Sequence, residues 1–265
     1  RRKLLTYLSN KKVLNKNLEC LLKSDLAFLK IRKIKSVHPS TDFLYDLSMQ
    51  DENFVGGFGG ICLHNTMLAT ATALQLHGAK PVFVDVERDT LCIDFEDFKR
   101  KSGMAKALML VSINGRYPSH VDEIIEYCKD KNIIIIEDAA QSLGSFHNGK
   151  HVGTLGDVGS FSFSMPKIIT MGGGGCLITN NKEIYDQIQM IKNFGRRKGG
   201  GHDHEIMGFN FKFNDLQATI GIEQMKKLGK RATRKKEMYW FYEHYLRDVK
   251  GIQLIDTNLK ETTPW

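Results

Sequence analysis

No stretch of this 265-residue chain approaches the roughly 18 consecutive apolar residues that a helix needs to cross a bilayer. The opening Arg1-Arg2-Lys3-Leu4-Leu5 carries charge but lacks the apolar core of a secretory leader. The five cysteines, Cys20, Cys62, Cys92, Cys128 and Cys176, are scattered and include no Cys-x-x-Cys pair. That argues against a disulfide frame or a zinc site and for reduced thiols, so a cytoplasmic location is expected. Basic-aromatic motifs are also lacking. The formal charge is +8, with 11 Lys+Arg against 6 Asp+Glu over residues 1–64 and 27 against 24 over the rest. A lysine-rich solvated surface accounts for this excess better than nucleic acid does. Neither a nucleic-acid nor a membrane partner is therefore expected. With 42% hydrophobic residues, the chain can bury one large domain, or one domain and part of another.

The pattern becomes regular after Ala69. Thr70 to His77 has the spacing of a helix, and Gly78-Ala79 breaks it. Pro81 to Val86 is a short β-branched run that reads as a strand. Asp94 to Lys99 reads as a helix start with acids in its first turn. Ala107 to Ser112 reads as the next strand. Ser119 is the expected cap of a helix through Val121, Ile124, Ile125 and Cys128, which are apolar at helical spacing. Ile133 to Glu137 has no alternation, as in a strand covered on both faces. Val158 to Ser164 and Cys176 to Thr179 add two strands. Three helices follow: Lys182 to Phe194 with Ile184, Ile188 and Ile191 inward; Asp215 to Leu228, capped by Asn214 or Asp215; and Lys235 to Leu246. Strands alternating with helices predict an α/β domain with a mainly parallel sheet. The functional groups of such a sheet lie at the C-terminal ends of its strands. Residues 1–64 lack a clean period. The glycine-rich Phe54 to Gly60 lacks the strand-GxGxxG-helix order of a nucleotide loop and reads as a turn.

One combination carries chemistry. The apolar run Ile133 to Ile136 ends in Glu137-Asp138, and Gln141 follows three residues on. A hydroxyl-rich strand then leads through Ser162 to Lys167, just before Gly172 to Gly175. In this order, a lysine can form a Schiff base with an aldehyde cofactor. An acid can pair with a ring nitrogen, and a hydroxyl with backbone amides can hold a phosphate. Each residue has a plainer reading when taken singly. Asp138 can cap a following helix from Ala139, Lys167 can be one surface lysine among many, and the glycines can form only a turn. The case rests on their order and spacing together.

The stretches Glu137 to Ser142, Gly149 to Asp157 and Phe161 to Lys167 resemble the sugar aminotransferases of the DegT/DnrJ/EryC1/StrS family. So do Gly78 to Val86, Asn193 to Arg196, Gly208 to Lys212 and Asp215 to Ala218, and the resemblance covers about residues 65–230. It implies a pyridoxal-5′-phosphate (PLP) enzyme of the aspartate-aminotransferase fold (type I). Lys167 would hold the cofactor and move the proton. Asp138 would pair with the pyridine nitrogen, Gln141 would contact the 3-hydroxyl and Ser162 the phosphate. Asn210 would reach the phosphate in a neighbouring subunit of a homodimer with shared active sites. Met67 stands where the family carries an aromatic residue against the ring. Sugar dehydratases that resemble this family have histidine in place of the lysine, so Lys167 favours transamination. The implied substrates are a nucleotide-linked keto sugar, best matched by a 4-keto-6-deoxyhexose as in perosamine synthases, with glutamate as amino donor, in polysaccharide biosynthesis.

The sequence also departs from the family. The Ser-Asn-Gly-Thr-like phosphate segment has no counterpart in residues 1–64, and Gly173 replaces a usual glutamate. The expected division is a divergent N-terminal segment over 1–64, disordered or mistranslated, and a PLP-binding large domain over 65–230. A linking helix and the start of a truncated small domain would occupy 231–265. The alternatives to transamination are a catalytically impaired remnant serving as a partner subunit, and a sugar dehydratase of the same fold.

Overall fold

A computed structural model describes residues 66–197, 203–249 and 252–264, with the side chains of 66–68 outside the description. The expectations for residues 1–64 therefore lie outside the described residues. All described residues fall in one unit, Leu63–Trp265.

Three strands run in parallel, β1 (Ala107–Val111), β2 (Ile134–Asp138) and β5 (Val158–Ser162), and β6 (Gly175–Ile178) closes the sheet antiparallel in the order β1-β2-β5-β6. A small hairpin, β3 (Phe146–His147) with β4 (Lys150–His151), stands between β2 and β5. The helices are α1 (Thr66–Leu76), α2 (Phe95–Lys101), α3 (Val121–Asp130), α4 (Lys182–Ile191), α5 (Asp215–Met225) and α6 (Leu228–Leu246).

The core follows from two periodicities meeting. On α3, Val121, Ile124 and Cys128 recur at helical spacing and are buried. Leu108 and Leu110 of β1, with Ile133 just before β2 and Ile135 in it, alternate toward that face, and Phe98 of α2 completes the cluster. Helix α2 starts as its acids suggest, since the Asp94 carboxylate accepts from the Asp97 amide. On α5, Asn214 and Gln217 each accept from the other's backbone amide, forming a capping box.

Several local expectations are corrected. Pro81 to Val86 forms no ladder, only an isolated bridge from Val86 to Ile93. Its Val82 and Phe83 are 63% and 71% exposed, so no neighbouring strand among the described residues turns its β-branched run into sheet. Ser119 does not cap α3. His120 holds that position without a side-chain bond, and Ser119 lies one residue before it, its amide donating to Glu87. Strand β2 is not covered on both faces among the described residues, for Ile134 is 49% exposed. Helix α4 stops at Ile191, which is exposed, and α6 begins at Leu228 rather than Lys235.

Candidate functional site

The pleat of β2 separates two adjacent acids. Successive side chains of a strand point to opposite faces, so Glu137 joins Ile135 on the core side while Asp138 turns to the other. Register then gathers the second face: Asp138 is level with Val111 on one side and with Ser160 on the other, and Ser162 follows Ser160 by one pleat repeat.

Glu137 is fully buried, and its carboxylate is occupied by backbone. Oε2 accepts from the Gly153 amide at 2.7 Å, and Oε1 from those of Leu155 and Gly156 at 2.6 and 2.7 Å. These bonds fasten the turn that delivers β5 beside β2. Asp138 is differently placed. Its Oδ1 accepts from the Ala140 amide at 3.1 Å, and its Oδ2 accepts from the Thr70 hydroxyl of α1. No helix begins at Ala139, so the capping role for Asp138 is set aside; its bond to Ala140 closes a turn. A carboxylate offers about four acceptor positions, so these two donors leave room for another.

Lys167 lies on the loop from β5 to β6. Phe163 and Gly174 pin the neck of this loop by a 2.9 Å backbone bond, and the Met171 amide donates to the Phe163 carbonyl at 2.9 Å. Behind it, Met171 packs against Gly221 of α5, and the Arg231 guanidinium of α6 donates to the Ile168 carbonyl at 2.8 Å. Gly174 has φ +92°, and a Cβ there would lie 2.6 Å from the Phe213 ring, so this position requires glycine. The Lys167 side chain is half-buried. Burial pushes its ammonium below the usual 10.5, and the charge of Asp138 opposes that shift. Asp138 thus belongs to the electrostatic surroundings of the Lys167 amine.

Ser162 pairs its hydroxyl with that of Ser164 at 3.0 Å and also accepts from the Ser164 amide. Gln141 is buried, and its Oε1 accepts from the Asn114 amide at 2.8 Å, which ties it to the turn after β1. Asn210 stands apart: it is exposed and bridged through its backbone to Asn193. Met67 lies on α1, and its side chain is outside the described residues. Asp138 and Ser162 thus end neighbouring strands, Lys167 lies on the loop that leaves β5 and Gln141 on the turn after β2, whereas Asn210 lies beyond α4.

Three contributors escaped the sequence reading. Glu137 was read only as the end of an apolar run, although strand alternation was a usable signal that it, and not Asp138, faces the core. Thr70 carried no signal, because its partner is distant in the chain. The third is the segment from Thr257 to Pro264. Arg116 donates to the Thr257 hydroxyl, and Tyr117 donates to Glu261 at 2.6 Å. The Thr263 amide donates to Ser145 at 2.9 Å and its hydroxyl to the Gly144 carbonyl. This strap braces the turns that carry Asn114 and Gln141. Among the described residues, no cluster of three or more His, Cys, Asp or Glu would hold a metal ion, and no helix is long and apolar enough to cross a membrane.

Comparison with known proteins matches the profile of the DegT/DnrJ/EryC1/StrS aminotransferase family over residues 56–265, a wider span than the motifs alone marked. A GDP-perosamine synthase of Escherichia coli O157:H7 is 35% identical over 185 residues, covering 69% of this chain and 50% of that protein. The chain thus spans about half the length of such a curated relative. The crystal structure of 3-amino-5-hydroxybenzoic acid synthase superposes with a TM-score of 0.70 at 25% identity, covering 75% of this chain and 53% of that one. An Escherichia coli GDP-4-keto-6-deoxy-D-mannose-3-dehydratase with bound hydrated PLP does so at 0.63 and 28%, covering 72% and 52%.

Proposed function

We propose, for a chain that belongs to the DegT/DnrJ/EryC1/StrS aminotransferase family, that it binds PLP and transfers an amino group from glutamate to a nucleotide-linked 4-keto-6-deoxyhexose. The observation that carries this reading is the placement of Asp138 and Ser162 at the C-terminal ends of the neighbouring parallel strands β2 and β5, with Lys167 on the loop that leaves β5.

The residues fit the cofactor. Asp138 keeps acceptor capacity beyond its bonds to Thr70 and Ala140. Lys167 has its proton affinity lowered by burial, and the Ser162 and Ser164 hydroxyls stand one strand away. Bound there, PLP would supply an aldehyde that reacts with amines and a ring that accepts electrons from a carbon losing its proton. Asp138 would hold a proton at the ring nitrogen. Lys167 Nζ would be the nucleophile, helped by the depressed proton affinity, which leaves more neutral amine at a given pH. Freed again, Nζ would take and return the proton that moves between carbons. Ser162 would hold the phosphate, and Gln141, anchored by Asn114, would hold the ring hydroxyl. Met67, one turn before Thr70 on α1, would cover the ring.

The substrate assignment rests on relatives named GDP-perosamine synthase, and Lys167 favours transamination over the dehydration named for the other structure. A homodimer with shared sites is supported by the surface around Asn210, where Phe209 and Phe211 are exposed and stacked. Asn210 would then serve the neighbouring subunit's phosphate.

The test is direct. The 265-residue chain is mixed with PLP, reduced with borohydride and mapped by mass spectrometry, then assayed with glutamate and a GDP-linked 4-keto-6-deoxyhexose. Modification of Lys167, lost in Lys167→Ala, and an amino sugar product are expected. No covalent cofactor at Lys167 in the native sequence overturns the reading.

A further inference from the structure

We infer that Thr70 is a positioning residue for the proposed reaction, fixing the Asp138 carboxylate so that its remaining acceptor position meets the cofactor's ring nitrogen. This rests on the PLP reading above and deepens it. The two residues are distant in the chain, and α1 reaches β2 through the Thr70 hydroxyl, which donates to Asp138 Oδ2. The opposite oxygen is held by the Ala140 amide. With one donor on each oxygen, the carboxylate plane cannot turn about its terminal torsion, which is otherwise broad for aspartate.

The chemical type of the brace matters. A lysine or arginine at this place would hold the carboxylate equally well but would neutralise it, weakening its hold on a protonated ring. A hydroxyl donates one hydrogen bond and leaves the negative charge in place. Thr70 also lies one turn from Met67 on the same helix. The helix that would cover the ring is thereby tied to the acid that would hold the ring nitrogen, so the two are set in register by one bond.

The test compares Thr70→Val, which keeps the shape and removes the donor, with Thr70→Ser, which keeps the donor. PLP affinity is measured by equilibrium titration of the visible absorbance of lysine-bound cofactor, and the pH midpoint of that absorbance is recorded. Loss of one hydrogen bond to a charged group corresponds to about tenfold weaker PLP binding in Thr70→Val. The pH midpoint rises, because a misaligned carboxylate protonates the ring less and leaves the nearby nitrogen more basic. Thr70→Ser restores both. A merely structural threonine would change thermal stability but not the pH midpoint. Native protein that binds PLP, with Thr70→Val matching it in affinity and midpoint, overturns this inference alone. Native protein without the absorbance overturns the underlying reading as well.

Discussion

Replacing Glu137 by glutamine tests how the core acid holds the β2–β5 junction. The carboxylate receives three backbone amides, two on Oε1 and one on Oε2. Glutamine can present its oxygen to Leu155 and Gly156, but its amide nitrogen then faces the Gly153 donor. The two retained bonds fall from charge-assisted to neutral, a loss of about 1 kcal/mol each. The third leaves a buried N–H without an acceptor, costing about 1–3 kcal/mol. Relief from burying a charge works in the opposite direction, so the lower end of about 3–5 kcal/mol is expected. That is a large share of a typical stability of about 5–15 kcal/mol. Urea unfolding followed by circular dichroism reads it out. With a slope of about 1–3 kcal/mol/M, the midpoint falls by about 1 M or more. A Glu137→Gln protein whose midpoint matches the native one, at unchanged slope, would show that these amides do not depend on the charge.

Two further outcomes follow from other parts of the fold. Gly115 has φ +80°, and a Cβ there would lie 2.1 Å from the Thr263 carbonyl oxygen, so Gly115→Ala should lift the strap away. Urea titration should show a loss of about 1–3 kcal/mol from the strained backbone, and limited proteolysis should show earlier cleavage after residue 250; unchanged cleavage would refute the docking. Asp97 is held down to about 2, chiefly by the Lys101 ammonium and then by the Asp85 amide. Because the folded value lies below the ordinary 3.8, its contribution is complete above about pH 5 and is lost progressively as pH falls through about 2. Asp97→Asn should flatten the pH dependence of thermal stability across that window, and an unaltered acid limb would sink the assignment.

What was legible in the chain was local or tied to order. The parallel strands at Ala107, Ile134 and Val158, the buried stripe Val121-Ile124-Cys128, the helix start near Asp94 and the cap at Asn214 all follow from neighbouring residues reinforcing one another. Asp138, Gln141, Ser162 and Lys167 could be singled out because their spacing along strands and loops is itself the motif. The run at Pro81 to Val86 misled for the opposite reason: its β-branched residues favour extension, but a ladder needs a partner strand, and none of the described residues supplies one. The supposed cap at Ser119 misled because the helix begins one residue later, which puts His120 at the capping position.

The sequence alone determined the alternation of strands and helices, the family and the identity of the candidate chemical groups. Only the tertiary structure decided what each of two adjacent acids meets. A pleated strand sends neighbours to opposite faces, and what awaits them there is set by distant chain. Three amides from the turn before β5 receive Glu137, whereas a hydroxyl from α1 and the Ala140 amide meet Asp138.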